Sequence, residues 1–151
     1  MADDRLDPIA ALLAEHACRA LVVKAAELVD SGRFSGLAAV FSSDALLVRP
    51  NGATLSGCDA IVASYAARPV DRISRHLIFA SNFTGLNAEH AAATTQVLLW
   101  SGSTDDAPGP FGRPARGQQI VGRFDDEFVF IDRAWRIGKR VASFELFVVN
   151  P

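Results

Sequence analysis

The chain has little of what most functional signatures are made from. Its 151 residues include two cysteines, three histidines and one tyrosine. Cys18 and Cys58 stand apart, with no C-x-x-C pair, and no secretory leader is visible, so both read as reduced, buried thiols. No His/Cys/carboxylate set has metal-ligand spacing, so no metal is expected. The opening Met1-Ala2-Asp3-Asp4 is acidic, with no basic stretch before an apolar one, which argues against a signal peptide. No apolar run approaches the length of a membrane span. The formal net charge is -2 and there is no dense Lys/Arg stripe. Arg113, Arg116, Arg136 and Arg140 come nearest, but they are spread over loop and strand, so nucleic acid is not an expected partner. G-x-S-x-G, phosphate-loop and dinucleotide motifs are missing, as are repeats and linkers. What remains is a cytoplasmic enzyme or small-molecule binder without a cofactor, formed as one domain over residues 1–151.

Half of the chain is hydrophobic, which suits a packed core. Asp7-Pro8 is a helix start, with Asp as N-cap and Pro at the first helical position. Residues 9–29 lack Gly and Pro, and Gly32 supplies the stop, so one long helix is expected. Residues 33–41 read as a short second helix. Residues 45–49 and 53–56 read as a hairpin about Asn51-Gly52. A third helix opens near Gly57 and ends before Pro69. Beyond it, residues 73–84, 91–100, 119–131 and 135–148 read as strands, the last two joined at Asp132-Arg133. Residues 101–117, with Gly102, Gly109, Gly112, Gly117, Pro108, Pro110 and Pro114, form a long loop suited to a lid or an oligomer contact. Helices first and antiparallel strands after predict an α+β fold with three helices against one face of a bent sheet. Gly122 and Gly138 mark bends or bulges.

Among the candidate site residues, His76 stands out as a polar, near-neutral titrating side chain in an otherwise strand-like run. Period 2 puts Ser74, His76, Ile78, Ala80 and Asn82 on one face, and Ile73, Arg75, Leu77, Phe79 and Phe83 on the other. The His face has small side chains, which leaves room for a ligand. Asp30 closes the first helix, where the macrodipole disfavours a carboxylate. It is either a solvated residue offset by Arg33 or water, or a carboxylate that orients an imidazole. His76 is likewise either a satisfied sheet histidine or a base. Arg140 could steady negative charge or be salt-bridged, and Tyr65 could donate to a carbonyl or be core. His16 and His90 carry weaker signals. Asp126 and Arg140 would have to belong to an Asp–Arg–Asp set for an epoxide-hydrolase alternative.

These strings and their order resemble a known group. Leu28-Val29-Asp30-Ser31-Gly32-Arg33-Phe34, Phe41-Ser42-Ser43-Asp44-Ala45, Gly57-Cys58-Asp59-Ala60-Ile61, Arg75-His76-Leu77 and Asp132-Arg133-Ala134-Trp135-Arg136-Ile137 together resemble the SnoaL-like branch of the nuclear transport factor 2-like superfamily. That branch includes scytalone dehydratase, the lindane dehydrochlorinase and polyketide cyclases. The resemblance implies a cone-shaped, strongly curved antiparallel sheet with an apolar pocket, and oligomers, dimeric or trimeric, built through the open sheet face. The long strands carrying Phe124, Phe128, Phe130, Phe144 and Phe147 suit such a contact. It also implies a His76–Asp30 dyad and a substrate-side role for Arg140. Val29 and Arg49 stand where scytalone dehydratase has tyrosines, and Gln118-Gln119-Ile120-Val121 lacks its second histidine, so scytalone itself is not the expected substrate. The expected function is a lyase or isomerase acting on a small, largely apolar cyclic compound, with Arg140, Tyr65 and Arg49 near the substrate. The alternatives are a non-catalytic binding or assembly protein on the same fold, or the hydrolase.

Overall fold

A computed structural model describes residues 5–149. Residues 1–4, and with them the acidic start of the chain, lie outside the described residues, as do residues 150–151. The first helix, α1, spans Pro8–Asp30. Asp7 caps it: its Oδ1 accepts from the Ile9 and Ala10 amides at 3.0 and 3.1 Å. Gly32 ends it with a positive φ of 72°, a conformation glycine adopts without steric cost. Capping carboxylates of this kind contribute about 0.5–2 kcal/mol. Asp7→Ala is therefore expected to lower the melting temperature by about 1–8 °C in a domain this size, measured by thermal circular dichroism.

The expected second helix is a 3₁₀ segment, Phe34–Ala39, and Phe41 already belongs to a strand. Strand β1 is Phe41–Val48, β2 is Thr54–Ser56, and helix α2 is Cys58–Ala66. The β1–β2 turn closes with the Ala53 amide donating to Asn51 Oδ1 at 3.0 Å. Strands β3 (Arg72–Leu86), β4 (His90–Ser103), β5 (Gln118–Ile131) and β6 (Ala134–Val149) follow. Asp132 and Arg133 join β5 to β6 with both φ values positive, the backbone of a tight two-residue hairpin turn. The loop before β5 is shorter than expected because β4 runs on to Ser103. It is clasped by Arg116, which holds both oxygens of Asp106.

The sheet order is β2-β1-β6-β5-β4-β3. All neighbouring pairs are antiparallel except β1 with β6, which run parallel. The fold is thus α+β, with a curved, open, six-stranded sheet packed on the helices. The core lies between α1, the 3₁₀ segment, α2 and the inner sheet face, with Val22, Leu37, Ile61, Phe128 and Ile137 fully or almost fully buried. Cys18 and Cys58 are both buried and unpaired. Burial, and secondarily the charge of Asp126, pushes the Cys18 thiol up to about 12.

Two details of the sheet depart from simple alternation. A register shift between Ile78 and Ser81 reverses the faces of β3 beyond it. Ser81 then bonds Thr95 of the buried face, and Phe83 joins the core, so Phe83 shares the inner face with His76 rather than opposing it. A second irregularity falls between Val121 and Gly122. There a β-carbon on residue 122 would come within 2.7 Å of the Ser143 carbonyl oxygen, so only glycine fits. Of the phenylalanines expected on the open face, Phe128 is buried and Phe124 packs against the core. Phe130, Phe144 and Phe147 are exposed.

Candidate active site

Asp30 is the last residue of α1, and His76 sits four residues into β3 beside it. The carboxylate that the helix end disfavours is met by three donors from one strand. Ser74 Oγ donates to Asp30 Oδ1 at 2.9 Å, and the His76 amide donates to Oδ2 at 2.7 Å. His76 Nδ1 lies 2.6 Å from Oδ1. Burial raises the proton affinity of Asp30, but the bonds and charge of His76, with Ser74, outweigh it and hold the carboxyl below its ordinary value. An ionised carboxylate only accepts. Nδ1 therefore carries the proton, and Nε2 is left as the basic nitrogen. Ser74, expected on the His76 face from the period of two, proves to be a further partner of Asp30.

The depressed Asp30 pKa fixes the sign of an acid effect. Its contribution to stability is complete above the unfolded carboxyl value, about 3.9, and is lost as pH falls through the lower folded value. The wild-type chain should accordingly lose more unfolding free energy than Asp30→Asn between about pH 6 and about pH 2.5 in urea titrations.

His76 lines a cavity of about 280 Å³ with Leu47, Val97, Leu99, Ile120 and Phe124. Tyr65, Arg49 and Arg140 line it too, so the structure gathers four of the five predicted site residues around one space, with Asp30 behind His76. A separate small pocket of about 10 Å³ shares His76, Tyr65 and Arg140 with this cavity and is also lined by Val29 and Leu37. Tyr65 stacks on Phe34 at 6.1 Å between ring centroids. Arg49 donates to Ser64 Oγ. Arg140 is almost fully buried and forks onto Asp126, Nε to Oδ1 at 2.7 Å and Nη2 to Oδ2 at 2.8 Å. Its guanidinium lies 4.0 Å from the Phe124 ring centroid. Asp126 is buried but does not line the cavity, so the epoxide-hydrolase alternative has no water-activating carboxylate there.

Sequence reasoning missed Arg68 and Arg72, which also line the cavity. Burial, and further down the neighbouring charges of Arg72 and Arg49, push the Arg68 guanidinium down, while Tyr65 and Asp30 oppose this. His16 and His90 are exposed and lie away from the cavity. A larger depression of about 520 Å³ lies at the other end of β4 and β5, where His90, Asp44, Glu127 and Lys139 line it. Lys139 pairs with Glu127 there at 3.3 Å, and Asp44 accepts from Ser42 Oγ at 2.9 Å. Among the described residues no group of three or more His, Cys, Asp or Glu could hold a metal ion. No helix of the described residues is long and apolar enough to cross a membrane.

Comparison with known proteins gives the frame for this site. No curated protein matches the sequence significantly. A protein from Novosphingobium aromaticivorans DSM 12444, provisionally named a scytalone dehydratase, superposes with a TM-score of 0.80 at 16% identity, covering 96% of this chain and 93% of that one. The hexachlorocyclohexane dehydrochlorinase LinA type 2 gives 0.81 at 16% identity, with 96% and 94% covered. LinA type 3 from Novosphingobium barchaimii LL02 gives 0.79 at 16% identity, with 95% and 94% covered. At such identities these likenesses speak for the fold alone. The SnoaL-like domain model matches residues 10–141, most of the sequence. The chain belongs to the SnoaL-like domain family.

Proposed function

We propose that the chain is a small lyase or isomerase in which His76 acts as a general base on a small, largely apolar cyclic compound. The observation that carries this reading is the 2.6 Å contact of His76 Nδ1 with Asp30, made by an imidazole that also lines the cavity. Nε2 takes a proton from a carbon next to a carbonyl or a leaving group. In an elimination, the C–H electron pair becomes the new double bond and the leaving group departs with its own pair. In an isomerisation, the proton returns to a different carbon. Asp30 keeps the imidazole in its basic tautomer and stabilises the imidazolium that forms. Arg140, Tyr65 and Arg49, which line the same cavity, would steady developing negative charge. The residues alone supply this chemistry; neither a metal nor an organic cofactor is invoked. The provisional dehydratase name of one structural neighbour and the dehydrochlorinase names of two others support eliminations as the first reactions to try.

A binding protein is the second reading, favoured by the three hydrogen bonds that make Asp30 a cross-link between α1 and β3. The exposed Leu77, Phe79, Trp100 and Leu146 support association of copies through the open sheet face. The test of the catalytic reading is a screen of cyclic alcohols, halides and ketones for loss of water or halide and for deuterium uptake from solvent, run beside His76→Gln. Turnover unchanged in that variant sinks the mechanism.

A further inference from the structure

The cavity that holds His76 is lined by arginines and by no acidic side chain. Arg49 reaches it from the end of β1, Arg68 from just beyond α2 and Arg72 from the start of β3. Two of them face one ring, and the third shares the cavity wall with them. Arg68 lies 4.5 Å and Arg49 5.7 Å from the Tyr65 centroid, and Arg68 feels the charges of both Arg72 and Arg49. Among the described residues, none of the three takes part in a salt bridge. Carboxylates close by are already engaged: Asp30 by Ser74 and His76, and Asp71 by Ser103. The other two arginines of the wall are neutralised, Arg140 by Asp126 and Arg123 by Asp125.

Bringing like charges together, one of them half-buried, costs stability that the fold does not recover. The C-terminal end of α2 accounts for a cation at Arg68, since helix carbonyls favour it, but not for two more beside it. A bound anion accounts for all three. Guanidinium forks match the planar oxygens of a carboxylate. A dianionic phosphate is the poorer fit, because α2 offers this region its carbonyl end rather than its amide end. The volume, about 280 Å³, is at the low end for small-molecule sites and suits a one-ring acid.

We infer that the substrate is a cyclic carboxylic acid, with its carboxylate held by Arg49, Arg68 and Arg72 and its ring against Leu47, Val97, Leu99 and Ile120 beside His76. This rests on the reading that the His76 cavity is the substrate site. Arg68 and Arg72 become specificity residues of that site, and neutral rings of the same shape become poorer ligands.

The test compares benzoate with benzamide, its neutral isostere, by NMR titration of the full chain at low ionic strength. Benzoate is expected to bind at least about 10-fold more tightly, with an advantage that shrinks as salt is added. In Arg68→Gln/Arg72→Gln the advantage should fall to within about twofold while benzamide affinity stays put. Arg72→Gln alone, at an exposed position, should lose several-fold for benzoate without lowering the melting temperature. Equal affinity for the two probes overturns the inference. So does absence of benzoate binding at millimolar concentrations, a preference that survives the double substitution, or tighter binding of phenyl phosphate than of benzoate. His76→Gln separates this inference from the catalytic reading. A benzoate preference that persists there while turnover is unaffected removes only the base assignment. No preference in the wild-type chain, with turnover of a neutral ring still dependent on His76, removes only the carboxylate.

Discussion

Replacing His76 by Gln is expected to lower turnover by about 10²–10⁴-fold, the usual contribution of a positioned general base. The substrate is whichever ring compound the elimination screen identifies, and the measurement is the initial rate with ligand affinity determined in parallel. The His76→Gln variant would have no basic nitrogen, yet the backbone amide at that position and Ser74 would still reach Asp30, so two of the three bonds to the carboxylate survive. Affinity should then change little while the rate collapses, a separation that a binding protein would not produce. Asp30→Asn should lose a comparable factor, because it removes the charge that stabilises the imidazolium. The two losses should not add, since residues acting as one unit fail together. Additive losses would mean that Asp30 supports the fold rather than His76.

How much of this was legible in advance depended on whether a feature is local. The α1 boundaries were readable because the Asp7-Pro8 cap and Gly32 stop act within a few residues. The strands were readable from their apolar patterns and turns. Asp30 and His76 were each locally anomalous, a carboxylate at a helix C-terminus and an imidazole in an apolar strand, so each could be singled out. Their meeting needed the packing of α1 on β3. The reversal of faces in β3 was not legible, because the shift between Ile78 and Ser81 depends on the register with β4 rather than on a marker residue. Arg68 and Arg72 were missed for a similar reason. They stand on either side of Pro69 with no local feature to mark them, and only the packing of that turn brings them to the cavity.

Asp126 and Arg140 illustrate the same limit and carry the largest expected effect on stability. In the sequence they stand together only as possible members of an Asp–Arg–Asp set, with no spacing that pairs them. In the sheet they are direct cross-strand partners between β5 and β6, with both side chains almost fully buried and a two-bond fork between them. Removing one partner of such a pair leaves a charge without solvent or counter-ion, at a cost of about 3–5 kcal/mol. Asp126→Ala should therefore lower the melting temperature by about 6–20 °C, at about 2–4 °C per kcal/mol for a domain of this length. Asp126→Leu combined with Arg140→Met should recover much of that loss, since apolar side chains of similar volume often replace a buried pair without net destabilisation. Urea unfolding of the wild type, the single and the double variant decides it. A single variant within about 1 kcal/mol of wild type would mean that Arg140 finds another counter-charge or water from the cavity it lines. If the double variant is stable but inactive, the pair is kept for the guanidinium it presents beside His76 rather than for the strength of the sheet.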